Sequence, residues 1–324
     1  MNKKILITGS AGFIGFHTCL EYLNKGFTVL GVDNLNKYYD VTIKLDRNKI
    51  LKKYKNFKFK KIDLAKISIR DNFLKKFKPS TVIHLAAQAG VRYSLEAPRE
   101  YIKSNILATF NLLETFKSEE LVHFMVASTS SVYGLNKKFP FKENESTDTP
   151  ISIYAATKKS VENLCHAYSY NFKMPITVLR FFTVYGPWGR PDMALFKFVK
   201  NTIKKKPIDV YNFGKMKRDF TYVKDVSKSL LLLCNKPPQK KENFYRVLNI
   251  GNQNIVLLKK FISIIEKVLG LKTKRKYMKM QKGDVKQTLS NTNKLKSIIK
   301  FQPKTDIEIG IKNFIEWYKN YYKI

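Results

Sequence analysis

The sequence predicts an α/β fold, an open doubly wound parallel sheet followed by a smaller mixed α/β C-terminal lobe. Three observations carry this. Over the first half of the chain, short apolar runs alternate strictly with longer helical patterns. A glycine-rich turn joins the first run to the first helix. After about Gly186 the rhythm changes, and Pro187, Gly189 and Pro191 crowd into one loop.

The elements follow in order. Lys4–Thr8 reads as a buried strand, and Phe13–Lys25 as a helix stopped by Gly26. Thr28–Asp33 is the second strand, Phe57–Asp63 the third, Thr81–Ala86 the fourth and Val122–Ser128 the fifth. Helical patterns at Ile69–Phe77 and Tyr101–Lys117 separate them, and the lysine-rich stretch Ile43–Lys61 reads as a solvated helix and loop. A helix at Ile153–Asn171 and a strand at Ile176–Arg180 complete the first part. Beyond it, helices at Met193–Lys206, Leu257–Leu269 and Asp306–Tyr322 mix with short strands, and Asp225–Asn235 is apolar at helical spacing. The expected division is 1–185 and 186–324, with 222–250 packing back on the first part.

Composition bounds the function. Apolar residues make up 44% and charged residues 27% of 324, ordinary for a folded chain. The net charge of +36 is not ordinary. A strongly basic chain suits polyanionic partners, but 52 of the 61 basic residues are Lys and they are spread along the whole chain. Nucleic-acid readers favour the Arg fork, so no specific nucleic acid is expected. Three distant cysteines, Cys19, Cys165 and Cys234, indicate neither disulfides nor zinc, and fit a reducing cytoplasm. The apolar run after Lys3–Lys4 stops at Thr8, too early for a signal peptide. No stretch of about 18 apolar residues occurs, so no membrane association is expected.

Thr8 to Gly15 spaces its glycines G-x-x-G-x-x-G between strand and helix. Gly9, Gly12 and Gly15 would allow a tight turn, close approach of a pyrophosphate and close helix–strand packing. Phe13 and Ile14 open the helix, whose N-terminal N–H groups face the phosphates. Asp33 ends the second strand, 18 residues beyond Gly15, with Asn34 beside it. A carboxylate there accepts hydrogen bonds from a ribose diol and repels a 2′-phosphate, which favours NAD over NADP. Asp63–Leu64 and Leu85–Ala86–Ala87 follow the third and fourth strands, at the end of the sheet that faces a ligand crevice. The first part is therefore expected to be a Rossmann domain holding NAD.

Tyr154 and Lys158 stand at i and i+4 of one helix and share a face. An ammonium near a phenol favours the phenolate, which lowers its pKa and makes it a general base. The same spacing also suits a plain amphipathic helix, so the pair means little alone. Hydroxyls at the end of the fifth strand, Ser128 to Ser131, stand ready to bind a sugar hydroxyl beside the phenol.

Together these motifs resemble the extended short-chain dehydrogenase/reductase family. The likeness rests on Thr8–Gly15, His84–Ala87, Ser128–Gly134 and Tyr154 with Lys158, in order and over essentially the whole chain. It implies that Thr129 is the catalytic hydroxyl, that Asn105 lies near the cofactor, and that the protein is a homodimer. Gly90–Glu96, Arg180–Met193, Arg218–Val223 and Gly283–Val285 narrow the resemblance to nucleotide-sugar 4-epimerases, and among them to UDP-glucuronate 4-epimerases. Dehydratases and decarboxylases of the family carry an added acid beside the catalytic hydroxyl; here that position is Ser131. The resemblance implies inversion at C4 through a 4-keto sugar with Tyr154 as base. Arg190 and Thr183 would hold the uronate carboxylate and Arg218 the diphosphate, unless Arg218 pairs with Asp219 or Asp225. Gln88, Ser130, Ser131, Leu195, Val210 and Asp284 complete the expected substrate contacts. Alternatives are a UDP-glucose or UDP-N-acetylhexosamine 4-epimerase, a UDP-glucuronate decarboxylase, and a nucleotide-sensing binding protein without activity.

Overall fold

The computed structural model describes residues 3–68 and 73–324. Its strands are β1 (Lys4–Thr8), β2 (Thr28–Asp33), β3 (Phe57–Lys61), β4 (Thr81–His84), β5 (His123–Thr129), β6 (Ile176–Phe181), β7 (Thr183–Tyr185), β8 (Ile208–Tyr211), β9 (Lys217–Tyr222), β10 (Tyr245–Ile250), β11 (Ile255–Leu257) and β12 (Arg275–Met278). Seven of them form one sheet in the order β10-β6-β5-β4-β1-β2-β3. Every pairing in it is parallel. Successive side chains of a strand point to opposite faces, so Ile5 and Ile7 of β1 enter one apolar layer and Leu6 enters the other. The helices Phe13–Asn24 and Val223–Leu233 contribute to the first layer, and Ala108–Phe116 and Ile153–Phe172 to the second. This is the expected doubly wound fold.

The sheet turns its winding direction between β1 and β4, which lie side by side. The turns after these two strands therefore diverge and leave a crevice at their C-terminal ends. The helix Val223–Leu233 packs on Phe13–Asn24, where the Tyr22 hydroxyl donates to the Leu230 carbonyl at 2.9 Å. Tyr245–Ile250 joins the sheet as an edge strand beside β6.

The smaller lobe holds a three-stranded sheet, β11-β9-β7, and the parallel pair β12-β8. Its helix Leu258–Leu269 buries Phe261, Ile262, Ile264 and Ile265 on one face. Phe261 stacks on Phe220 of β9, with centroids 4.4 Å apart. The helix Ile307–Tyr322 covers the same core with Ile311, Phe314, Ile315 and Tyr318.

Some local expectations change. The stretch from Ile43 is not a solvated helix. The helix Thr42–Leu51 buries Ile43, Lys44, Arg47, Asn48 and Leu51. Its cations are inside because backbone carbonyls accept their protons, a match invisible in composition. The expected single helix Tyr101–Lys117 is a short turn Pro98–Tyr101, a π-helical segment Ile102–Leu107 and an α-helix Ala108–Phe116. Of the helix expected at Ile69–Phe77, Phe73–Lys76 is helical and Ile69–Asn72 lies outside the described residues. Among the described residues no helix is long and apolar enough to cross a membrane.

Candidate active site

The crevice at the switch point continues into the smaller lobe as one cavity of about 860 Å³. Its cofactor end is built by the glycine-rich turn. Gly9 has φ +68°, and a Cβ built there would lie 2.7 Å from the Ala86 amide nitrogen. A Cβ on Gly15 would lie 2.0 Å from the Gly9 carbonyl oxygen, so only glycine lets the helix start this close to the strand. Asp33 accepts hydrogen bonds from the Ala11 amide at 3.2 Å and the Leu35 amide at 2.8 Å. Gly12, Phe13, Ile14, Asn34, Asp63, Leu64, Leu85, Ala86 and Ala87 line the same end. A turn that side chains would fill, a helix N-terminus and a carboxylate at the end of β2 fit a dinucleotide with free ribose hydroxyls.

The expected reacting groups meet at the middle of the cavity, where Tyr154, Lys158, Thr129, Ser130 and Ser131 all line it. Ser152 caps the helix Ile153–Phe172 by accepting from the Ala155 amide at 3.1 Å. That cap places Tyr154 in the first turn and Lys158 one turn later on the same side. Thr129 ends β5 and accepts from the Ser131 amide at 3.2 Å, which folds the hydroxyl-bearing turn back toward the phenol.

The electrostatics differ from the simple expectation for the phenol. Burial raises the Tyr154 pKa above its ordinary value, while the Thr129 hydrogen bond and the Arg190 charge oppose the rise. Lys158 is not among those influences; its ammonium donates to the Ala127 carbonyl at 2.9 Å. Burial lowers the Lys158 pKa to about 8, and the Glu162 carboxylate counteracts part of that fall. In this protein alone, desolvation therefore outweighs the expected lowering of the phenol.

Behind the pair lies a buried ion pair. Arg180 of β6 donates from Nε and Nη2 to the two oxygens of Glu162, at 3.0 and 2.8 Å. Ser128 donates to the same carboxylate at 2.5 Å. Glu162 stands one helical turn beyond Lys158, so it fixes the helix Ile153–Phe172 to β5 and β6 together.

Asn105 sits in the π-helical segment, buried and off the cavity wall. Its side chain holds the turn after β4, accepting from the Gln88 amide at 2.8 Å and donating to the Gln88 carbonyl at 3.2 Å. It also donates to Thr157, whose hydroxyl donates to the Tyr154 carbonyl. It thereby ties the turn after β4 to the helix Ile153–Phe172.

Toward the smaller lobe the cavity is lined by Gln88, Thr183, Arg190, Arg218 and Asp284. Two of the expected residues do not line it. Leu195 and Val210 lie in the apolar core. Helical spacing turns Ala194, Lys197, Phe198 and Asn201 to the cavity instead, and Asp209 and Tyr211 flank Val210 on its wall. Arg218 pairs with neither Asp219 nor Asp225. It donates to the Lys217 and Lys286 carbonyls, because Asp219 is taken by the Asn252, Gln253 and Ser290 amides and Asp225 by Lys304 and Thr305. Asp284 pairs with Arg92 at 3.3 Å, and the Arg92 guanidinium lies 4.5 Å from the Tyr211 ring centroid.

Sequence reasoning missed Arg47, Asp192 and Tyr38. Arg47 is fully buried and donates to the Ala11 carbonyl at 2.8 Å and the Trp188 carbonyl at 2.5 Å, joining the glycine-rich turn to the loop that carries Arg190. Composition does not mark it, since its two backbone partners lie 36 and 141 residues away and its third is the Tyr39 hydroxyl.

The model of a family described as "NAD dependent epimerase/dehydratase family" matches residues 5–251. Protein CapI of Staphylococcus aureus is 46% identical over 333 residues, covering 99% of each chain. UDP-glucuronate 4-epimerase of Thermodesulfobacterium geofontis is 42% identical over 315 residues, covering 97% of this chain and 95% of that protein. Among solved structures, UDP-glucuronic acid 4-epimerase from Bacillus cereus in complex with UDP-glucuronic acid and NAD superposes with a TM-score of 0.91, at 34% identity over 98% of this chain and 100% of that one.

Proposed function

The chain belongs to the NAD dependent epimerase/dehydratase family, and from that premise we infer that it inverts C4 of UDP-glucuronate to give UDP-galacturonate. The observation that carries the reading is the convergence of Tyr154, Lys158 and Thr129 on a cavity whose far end is an intact dinucleotide turn. Relatives and solved structures that are UDP-glucuronate 4-epimerases align over nearly the full chain. The reaction is an isomerisation, and the cofactor is NAD.

NAD, held by the glycine-rich turn and Asp33, would supply a reversible hydride acceptor for the sugar C4. The residues of the chain do the rest. Gly9, Gly12 and Gly15 let the diphosphate approach the helix N-terminus, and Asp33 receives the adenosine ribose diol. Tyr154 takes the proton of the 4-hydroxyl as C4 is oxidised, and Thr129 hydrogen-bonds the same oxygen. A bound, positive nicotinamide ring would favour the tyrosinate against the burial that raises its pKa, while Lys158 holds the Ala127 carbonyl. The ketone then presents its other face, and Tyr154 returns the proton to the inverted alkoxide. Ser131 offers no acid or base to C5, which leaves the carboxylate in place. Arg190 and Thr183 receive that carboxylate, and Arg218 receives the diphosphate.

The protein works as a homodimer in the cytoplasm. Ile102 and Leu107 of the π-helical segment and Ile153 at the head of the catalytic helix are apolar and exposed, which supports association through these helices.

The test is NMR of UDP-glucuronate incubated with purified protein and no added cofactor. UDP-galacturonate is the expected product. UDP-xylose would replace this reading with a decarboxylase, and turnover of UDP-glucose alone would replace it with a neutral-sugar epimerase.

A further inference from the structure

Arg190 lines the same cavity as Tyr154, and its charge is felt at the phenol. One of its edges is already used. Nε donates to Asp192 Oδ1 at 3.0 Å, and Nη2 donates to Asp192 Oδ2 at 2.5 Å. The Tyr38 hydroxyl donates to the same Oδ2 at 3.2 Å, and the Tyr38 ring centroid lies 5.9 Å from the Arg190 guanidinium carbon. Gly90 makes room for this cluster. It has φ +119°, and a Cβ there would lie 2.9 Å from the Tyr38 hydroxyl and 3.8 Å from Arg190 Nη2.

A guanidinium has two edges that can grip a carboxylate with paired N–H bonds: Nε with one Nη, and the two Nη together. Asp192 takes the first. Among the described residues Nη1 has no hydrogen-bond partner, so the second edge stays open. The side chains of Arg190 and Asp192 are 19% and 25% exposed, so the pair is largely held by its surroundings. In a UDP-glucuronate 4-epimerase the carboxylate carbon of the substrate, C6, is bonded to C5, next to the C4 that Tyr154 serves. A positive open edge near the Tyr154 phenol is where that carboxylate must sit.

We propose that Asp192, supported by Tyr38, is the positioning residue that selects a uronate: it grips one edge of Arg190 so that the other faces the C6 carboxylate. This rests on the UDP-glucuronate reading above. Asp192 is then a scaffold for the substrate carboxylate and not its competitor. The two readings of the Arg190–Asp192 pair differ in sign. A scaffold lost weakens uronate binding, whereas a competitor lost strengthens it.

The experiment measures dissociation constants of UDP-glucuronate and UDP-glucose on the holoenzyme by calorimetry, for wild type, Asp192→Asn and Tyr38→Phe. Asn keeps the volume but offers one acceptor where Asp offers two, so the Arg190 edge is no longer clamped. Preference for the uronate should fall by about 10-fold in Asp192→Asn and about 3-fold in Tyr38→Phe, the size of one charge-assisted and one ordinary hydrogen bond. Equal weakening of both ligands in Asp192→Asn would mean a general structural role and overturn the proposal. Unchanged or tighter uronate binding would do so as well. If Asp192→Asn does not fold, Tyr38→Phe decides, and an unchanged preference there counts against the proposal. Wild-type protein that shows no preference for UDP-glucuronate would fail the functional reading itself, a result separate from any effect of the variants.

Discussion

Replacing Glu162 with Gln should damage both the fold and the chemistry, through different physics. The carboxylate and the Arg180 guanidinium are only 2% and 4% exposed. Glu162 also receives the Ser128 hydroxyl. Gln fills the same volume but cannot neutralise Arg180, so a cation remains buried without its partner. Breaking such a pair costs about 3–5 kcal/mol. Gln keeps one acceptor oxygen, which sets the expectation at roughly 3 kcal/mol. That is a large share of the ~5–15 kcal/mol that holds a folded protein together. Equilibrium urea unfolding at matched NAD concentration would measure it, since bound ligand adds its own stabilisation. The chemical consequence follows from Lys158, whose pKa burial lowers to about 8 and Glu162 partly restores. Without the Glu162 charge, Lys158 should lose its proton at lower pH. The alkaline limb of the kcat profile, the side on which the ammonium is lost, should therefore move toward neutral. Gln at 162 with less than about 1 kcal/mol of lost stability, or with the alkaline limb in place, would refute the argument. A Glu162→Leu, Arg180→Met double variant should recover most of the stability, because the unpaired charge and not the lost contact carries the cost.

The remaining predictions concern the turn, the base and the buried imidazoles. Gly15→Ala puts a Cβ 2.0 Å from the Gly9 carbonyl oxygen, so the purified variant should carry little NAD by absorbance after denaturation, and full occupancy would contradict the cradle. Tyr154→Phe should lower kcat by roughly 10²–10⁴-fold while keeping nucleotide-sugar binding, and activity within tenfold of wild type would remove Tyr154 from its role. Burial holds His17 at about 4 and His84 and His123 at about 3. These groups stay neutral in the fold but take up protons near 6.5 once unfolded. Stability is therefore lost as pH falls below about 6.5, with these three contributing on the order of 4 kcal/mol per pH unit near pH 5. Urea midpoints that stay flat between pH 6.5 and 5 would count against this protonation state.

Much of this was readable in the chain, and the limits have physical causes. The Rossmann half was legible because a buried parallel strand is a short apolar run and a phosphate-binding turn needs glycine at fixed spacing. Tyr154 and Lys158 were legible because both lie on one helix, where spacing determines which side chains share a face. The smaller lobe was less so. β9 pairs with β7 on one side and β11 on the other, and β8 pairs with β12 across the long separation from Ile208 to Arg275, contacts that no local pattern announces. The side chains of Leu195 and Val210 lie in the core, which the chain left unmarked for a related reason. Their apolar character fits both a cavity wall and a core, and only the packing of Phe196, Val199 and Phe314 around them decides. The π-helical segment around Asn105 keeps a helical composition, so its changed hydrogen-bond register left no mark. Arg190 was found, but its partner two residues on was not, because an Arg-x-Asp in a loop is most often solvated.

The most direct test of the account follows the hydride. UDP-glucuronate deuterated at C4 should be converted to UDP-galacturonate that keeps deuterium at C4, because the hydride leaves and returns within one closed site around Tyr154. NMR of the product after incubation in ordinary water reads this in one spectrum. Full retention is the expected result. Replacement of the label by hydrogen, or product formed only when NAD is added with every turnover, would contradict a redox-neutral inversion in this cavity.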